Sequence, residues 1–160
     1  MHSGIYRKKT IKKLNKKFKL LGIETNSIKF MNCRILSSLI IFVLLMIFSN
    51  KGYILGPLFA ILVYISFEYI LNYKINKRRE LLNYDAIFYF QVLSLTLESG
   101  KNLQGGLELT CNGVNNSLSS EFKKTLHEVS LGKSLSDAIN DMKERIPSEE
   151  VNTLIASLKL

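Results

Sequence analysis

Two apolar runs decide how this chain is read: ILSSLIIFVLLMIF, Ile35 to Phe48, and YILGPLFAILVYISFEYIL, Tyr53 to Leu71, parted by Ser49-Asn50-Lys51-Gly52. The first contains no charge. Extended from Met31 to Ser49 it has about 19 residues, or roughly 28 Å of helix, close to the hydrocarbon thickness of a bilayer. The second is of similar length and carries Glu68 as its sole ionisable residue. Inside a bilayer every backbone N–H and C=O needs a partner within the protein, so both runs should be helices. The polar residues between them predict a tight reversal and thus a transmembrane hairpin.

Charge placement gives the hairpin a direction. Arg7, Lys8, Lys9, Lys12, Lys13, Lys16, Lys17, Lys19, Lys29 and Arg34 precede it, against Glu24 alone, and Lys74, Lys77, Arg78 and Arg79 follow it. The turn has only Lys51. The positive-inside bias predicts both flanks, and hence both termini, in the cytoplasm and the turn outside. Tyr53 at one end of the second span, with Phe67, Tyr69 and Tyr73 at the other, fits an aromatic belt.

The formal charge of +9 sits almost wholly in these flanks. From Leu81 onward acids outnumber bases, which leaves the distal region no basic face for nucleic acid. With roughly 40 residues in lipid, the remainder suffices for one small domain of about 80. Cys33 at the membrane edge and Cys111 in the distal region form no CxxC pair, so neither a disulfide framework nor a zinc site is expected. The first apolar run begins too late for a cleavable signal peptide.

In chain order, Ile11, Leu14, Phe18 and Leu21 recur at three and four within a lysine-rich stretch from Ile5, predicting a basic amphipathic helix. It could lie on anionic inner-leaflet lipid, or be a solvated arm that enforces topology. Ile23 to Asn32 reads as a short linker. Glu68 lies about one turn from the cytoplasmic end of its span, within reach of headgroups, or of Lys74 or Arg78. Gly56-Pro57 falls in the first turns of the second span, where proline is tolerated or kinks the entry. Asn72 to Leu82 is charged and reads as an extension of the second helix. Asp85 to Ser99, DAIFYFQVLSLTLES, has an apolar core of about 13 residues, more typical of a buried helix than of a third span.

An internal repeat follows. The stretch from Gly100-Lys101-Asn102-Leu103 to Leu107 matches that from Gly132-Lys133-Ser134-Leu135 to Ile139, 32 residues later. Glycine in the left-handed region closes one helix, and two residues on Asn102 or Ser134 offers an oxygen to cap the next. Leu103 and Leu135 then point back between the helices. The pattern predicts two related helical hairpins in an antiparallel bundle. Gly132-Lys133-Ser134 resembles the end of a phosphate loop, but His127 stands where that motif needs a glycine, and Ser120 to Leu131 reads as a helix with Phe122, Leu126, Val129 and Leu131 on one side. Ala138, Ile139 and Met142 mark a further helix that stops at Ile146-Pro147. Ser148 caps a last one, with Glu149 and Glu150 favourable against its dipole. Its stripe of Val151, Leu154, Ile155 and Leu158 has nothing local to cover it, so a partner or further segment is expected to do so.

Catalytic chemistry is not indicated. His2 and His127 are the only histidines, and adjacent Glu149 and Glu150 diverge by about 100° on a helix. Phe88, Tyr89 and Phe90 suit a core or interface. No catalytic, cofactor-binding or metal-binding set is expected.

From Asp85 to Leu160 the chain resembles the cytoplasmic helical domain of the type II secretion F family, the inner-membrane platform proteins of type II secretion, type IV and Tad/Flp pili, and archaeal flagella. The resemblance rests on Leu97-Glu98-Ser99-Gly100, Asn102-Leu103, Gly106-Leu107, Glu121-Phe122, Leu131 to Leu135, Asp137-Ala138-Ile139 and Glu144-Arg145-Ile146-Pro147, in that order. Two spans before the domain look most like the Tad branch. Tyr84 replaces a common proline, and Gly105-Gly106 replaces better helix formers. Members usually continue through a sixth helix and further spans, so the chain reads as cut short after the fifth. The implied layout is a basic arm (1–32), a hairpin (33–72), a linker or helix extension (73–84) and an incomplete domain (85–160). The resemblance implies an all-α, non-enzymatic platform in the inner membrane that couples a secretion or pilus ATPase to pilin assembly or export. It would partner a second platform subunit and form a homo- or hetero-oligomer. A membrane-tethered regulatory scaffold of sporulation type, or a small holin-like pore, are the alternative readings.

Overall fold

Wherever apolar residues recur at three and four, the chain is helical. The computed structural model describes residues 8–23, 25–48 and 52–158, which form seven α-helices and no strand. They are α1 (Lys8–Leu21), α2 (Ser27–Phe48), α3 (Gly52–Glu98), α4 (Leu103–Gly113), α5 (Ser117–Ser130), α6 (Leu135–Arg145) and α7 (Glu149–Ser157). The all-α expectation is met. The reversal at Ser49–Lys51 and the start of the arm lie outside the described residues, as does the Tyr53 side chain. The chain divides into two compact units, Met1–Ile75 and Asn76–Leu160.

In the first unit α1 ends at Gly22, whose φ of 67° lets its N–H reach the Lys19 carbonyl (2.9 Å) while Ile23 N–H reaches Phe18 (3.2 Å). Helix α2 begins earlier than the expected linker to Asn32 allows. The Asn26 side chain caps it by accepting the Ile28 N–H at 3.0 Å, so only a few residues separate the two helices. The apolar face of α1 turns onto α2, with Phe18 buried and its ring edge-on to Phe30 at 5.2 Å.

Helices α2 and α3 meet along an antiparallel seam with one contact per turn. Phe30 meets Phe67 edge-on at 5.9 Å. The Arg34 guanidinium lies 3.8 Å from the centroid of Tyr64 and donates to its hydroxyl. Ser38 Oγ donates to the Ala60 carbonyl at 3.0 Å. At Gly56 the Phe42 ring packs so close that a Cβ would stand 3.0 Å from its Cδ2. Away from the seam the side chains are large, apolar and exposed: Leu36, Leu39, Ile40, Leu44 and Ile47 on α2, and Leu58, Ile61, Leu62 and Ile65 on α3. Such faces suit lipid and not water.

No glycine or proline interrupts residues 58–98, and lysine, arginine, glutamate and leucine are strong helix formers, so α3 continues through the charged stretch into Asp85–Glu98 as one helix. In the second unit Leu82, Ala86, Tyr89 and Leu93 of α3 form one wall of a dry core. Leu107 and Cys111 of α4, Leu118 and Phe122 of α5, Ile139 and Met142 of α6, and Val151 and Ile155 of α7 complete it. Tyr89 stacks on Phe122 with centroids 4.8 Å apart and planes 6° from parallel. The buried Tyr89 hydroxyl lies 3.3 Å from Cys111 Sγ, so its polar end is satisfied inside the core.

Two expectations change here. Most of the α7 stripe is covered: Val151 and Ile155 are fully buried and Leu158 packs against the same core, while Leu154 stays exposed. Asn152 helps return the helix to the bundle by donating to the carbonyls of Lys143 (3.2 Å) and Ile146 (3.4 Å). Leu131 does not join Phe122 and Leu126. The helix ends at Ser130, and Leu131 is its exposed C-cap.

Candidate functional site

The turns of the second unit place its surfaces. Gly100 and Gly132 have φ of 85° and 101°, a region open chiefly to glycine. Gly132 N–H reaches the Val129 carbonyl at 2.9 Å and Lys133 N–H that of Glu128 at 3.2 Å, which closes α5. Asn102 Oδ1 accepts the Gly105 N–H at 2.8 Å, and Ser134 Oγ accepts the Asp137 N–H at 3.1 Å. Leu103 and Leu135, one residue on, pack half-buried against the core. The helix-poor pair Gly105-Gly106 has a packing reason. A Cβ on buried Gly106 would stand 2.7 Å from Leu97 Cδ2, so the glycine lets α4 approach α3.

One flank of this unit is a lattice of charges. Glu121, with a side chain only 5% exposed, accepts Arg78 of α3 at 2.5 Å and Arg145 of α6 at 3.4 Å, with Lys124 at 3.6 Å. Arg145 also reaches Glu128 at 2.9 Å, and Lys133 bridges Glu128 (2.9 Å) and Asp141 (2.5 Å). The Lys133 side chain beside it, then desolvation opposed by Arg145, leaves the Glu128 carboxyl below its ordinary range. Lys133, the residue that gives the phosphate-loop look, therefore ties two helices together within the bundle. These pairs escape a linear reading, because Arg78, Glu121 and Arg145 are far apart in sequence. The one local signal is Glu121, Thr125 and Glu128 at four and three on α5.

A second side of α3 is apolar and open. Leu81, Tyr84, Phe88 and Leu95 follow one another at three, four and seven, with Ile87 beside them; Tyr84 is 81% and Leu95 66% exposed. A cavity of about 460 Å³ runs between this stripe and the α4–α5 loop, Gly113 to Asn116. Asp85 fixes that loop. Its carboxylate accepts the Ser117 N–H at 2.7 Å, and its carbonyl accepts Asn116 Nδ2 at 3.2 Å. Of the aromatic triplet, Tyr89 is core, Phe90 half-buried and Phe88 exposed. Among the described residues no group of three or more histidine, cysteine or acidic side chains could hold a metal ion.

Residues 89–159 match the family model described as type II secretion system (T2SS), protein F. The chain carries a T2SSF domain. No curated protein and no solved structure matched it. The matched residues take in most of the core, both glycine turns and the acidic side of the charge lattice. The same chain has two helices long and apolar enough to cross a membrane. The match to a secretion-system component and the two apolar helices both point to a membrane setting.

In the hairpin, Glu68 pairs with Lys17 of α1 at 2.8 Å, where the sequence had suggested Lys74 or Arg78. Among the described residues the acid is thus held by the basic arm, which folds back onto the hairpin.

Proposed function

We propose that this protein is a platform subunit in the inner membrane, of the Tad-pilus type, which couples a cytoplasmic ATPase to pilin assembly or export. It acts through helix contacts and without chemistry of its own. The T2SSF domain and the two apolar helices support the general placement. The lysines and arginines flanking the hairpin support cytoplasmic termini and an outward turn. In this reading Gly100, Asn102, Leu103, Gly132, Ser134 and Leu135 shape the domain and do not contact substrate.

The observation that carries the reading is the open stripe of α3. The core of the second unit is complete without Tyr84, Phe88 and Leu95, yet these side chains present an exposed apolar stripe, interrupted by Gln91, at heptad spacing. An apolar seam of this spacing suits a second helix laid along it. A second platform subunit, either another copy or a paralogue, is the partner that fits. Meanwhile the charge lattice ties α3, α5 and α6 together, so that force on one helix reaches the others.

The test is photo-crosslinking in cells from an unnatural amino acid at Tyr84, with Leu154 on another face as control. Expected products are adducts to a platform subunit or the motor ATPase from Tyr84, lost in Leu95→Asp. Adducts from neither position, or only to proteins unrelated to an export apparatus, would overturn the proposal.

A further inference from the structure

We propose that the groove where α1 folds onto the hairpin binds a phosphate-bearing anion, the phosphodiester of an anionic lipid headgroup. The groove lies within the first unit and is lined by Lys13, Lys17, Arg34 and Glu68 over an apolar floor that includes Phe30 and Leu71. Its volume is about 60 Å³. At about 10–15 Å³ per water-sized position, that admits a group of about four to six heavy atoms, a range that includes a phosphate.

Charge and hydrogen bonding both call for an oxyanion. Three cations face one carboxylate, and Lys17 already satisfies that carboxylate at 2.8 Å. Arg34 is 9% exposed, and its Nε is buried with no hydrogen-bond partner. The far end of the guanidinium is held by the ring and hydroxyl of Tyr64, so it cannot turn away to find one. A buried cationic donor left unpaired is costly, and an acceptor-only ligand relieves it. Bulk solvent could supply a free phosphate. Ile35 and Leu36, which follow Arg34 in the chain, and Tyr69 and Ile70, between Glu68 and Leu71, are exposed and apolar, which favours a ligand that brings acyl chains.

This inference rests on the reading that the hairpin lies in a membrane. Carbonate extraction of membranes tests that reading separately, since release of the chain would remove the membrane itself. The inference is tested on the full chain, solubilised in mild detergent, by native mass spectrometry of retained phosphatidylglycerol against phosphatidylcholine. The wild type is expected to retain one phosphatidylglycerol in preference, and Arg34→Gln or Lys13→Gln to lose it by about tenfold or more. Arg34→Lys keeps charge and packing but not the Nε–H and should weaken retention, which holds the test open if Arg34→Gln misfolds. The exposed pair Lys9→Gln and Lys12→Gln should retain lipid like the wild type. Equal retention of both lipids, or equal loss in the exposed pair, would reduce the effect to surface attraction and refute the site. If inorganic phosphate alone displaced the lipid and bound with the same dependence on Arg34, the ligand would be the free ion, and the lipid assignment would fall.

Discussion

Truncating Phe122 to alanine should open the T2SSF domain far more often than any change on its surface. The ring is fully buried, stacked on Tyr89 at 4.8 Å and edge-on to Phe90 at 6.4 Å. Loss of a buried phenylalanine costs about 3–5 kcal/mol, cavity included. An 85-residue unit has roughly 4–13 kcal/mol in all, so from about a quarter of the margin upward goes. Cys111 supplies the assay. It is 1% exposed, and desolvation raises its thiol above the ordinary value, so it should react with a maleimide only when the domain opens. In the full chain carrying Cys33→Ala, labelling slower than reclosing reads the open population. Phe122→Ala should then speed Cys111 labelling by about 150- to 5000-fold, the Boltzmann factor of that cost. Phe122→Leu, which loses the stack but keeps most of the volume, should give about tenfold. Leu95→Ala on the open stripe should change little. A rise of less than about tenfold for Phe122→Ala, or one matched by Leu95→Ala, would show that the Tyr89–Phe122 stack does not hold the bundle shut.

Two further outcomes follow from the charge lattice. Glu121→Gln leaves Arg78 and Arg145 facing a neutral amide; because both can still reach water, the loss should be about 2 kcal/mol, less than for a fully buried pair, read as faster hydrogen exchange in α5. Acid should act through Glu128. Its folded pKa lies below the unfolded value, so its stabilisation is complete above the ordinary carboxylate range and is lost as pH falls through the folded value. The protection gap between wild type and Glu128→Gln, measured by hydrogen exchange corrected for intrinsic rates, should be full at neutral pH and close below about 4.5; a gap independent of pH would contradict the pairing with Lys133 and Arg145.

What the sequence discloses here divides by the range of its causes. The spans depend on composition over a window, and the bundle helices on apolar spacing within a few turns, so the all-α class and the membrane pair are legible. The glycine turns have causes within four residues, a left-handed backbone and a capping oxygen. Features that depend on distant partners are not legible. Nothing near Glu121 announces Arg78 and Arg145, and nothing near Glu68 announces Lys17. The α7 stripe looks bare because its cover comes from core residues on α3 to α6, and a local reading counts only neighbours in sequence. The start of α2 is obscured for a subtler reason: after the capping Asn26, polar and charged residues (Ser27, Lys29, Asn32, Arg34) interleave with the apolar ones, and the uninterrupted apolar run begins only at Ile35.

The contacts between α2 and α3 recur once per helical turn, which confines any axial slip to jumps of about 6 Å. A jump one way sets Arg34 against Ala60, where no ring or hydroxyl receives it. Either jump takes Gly56 away from Phe42. Side-chain chemistry along the seam therefore holds the two helices in step.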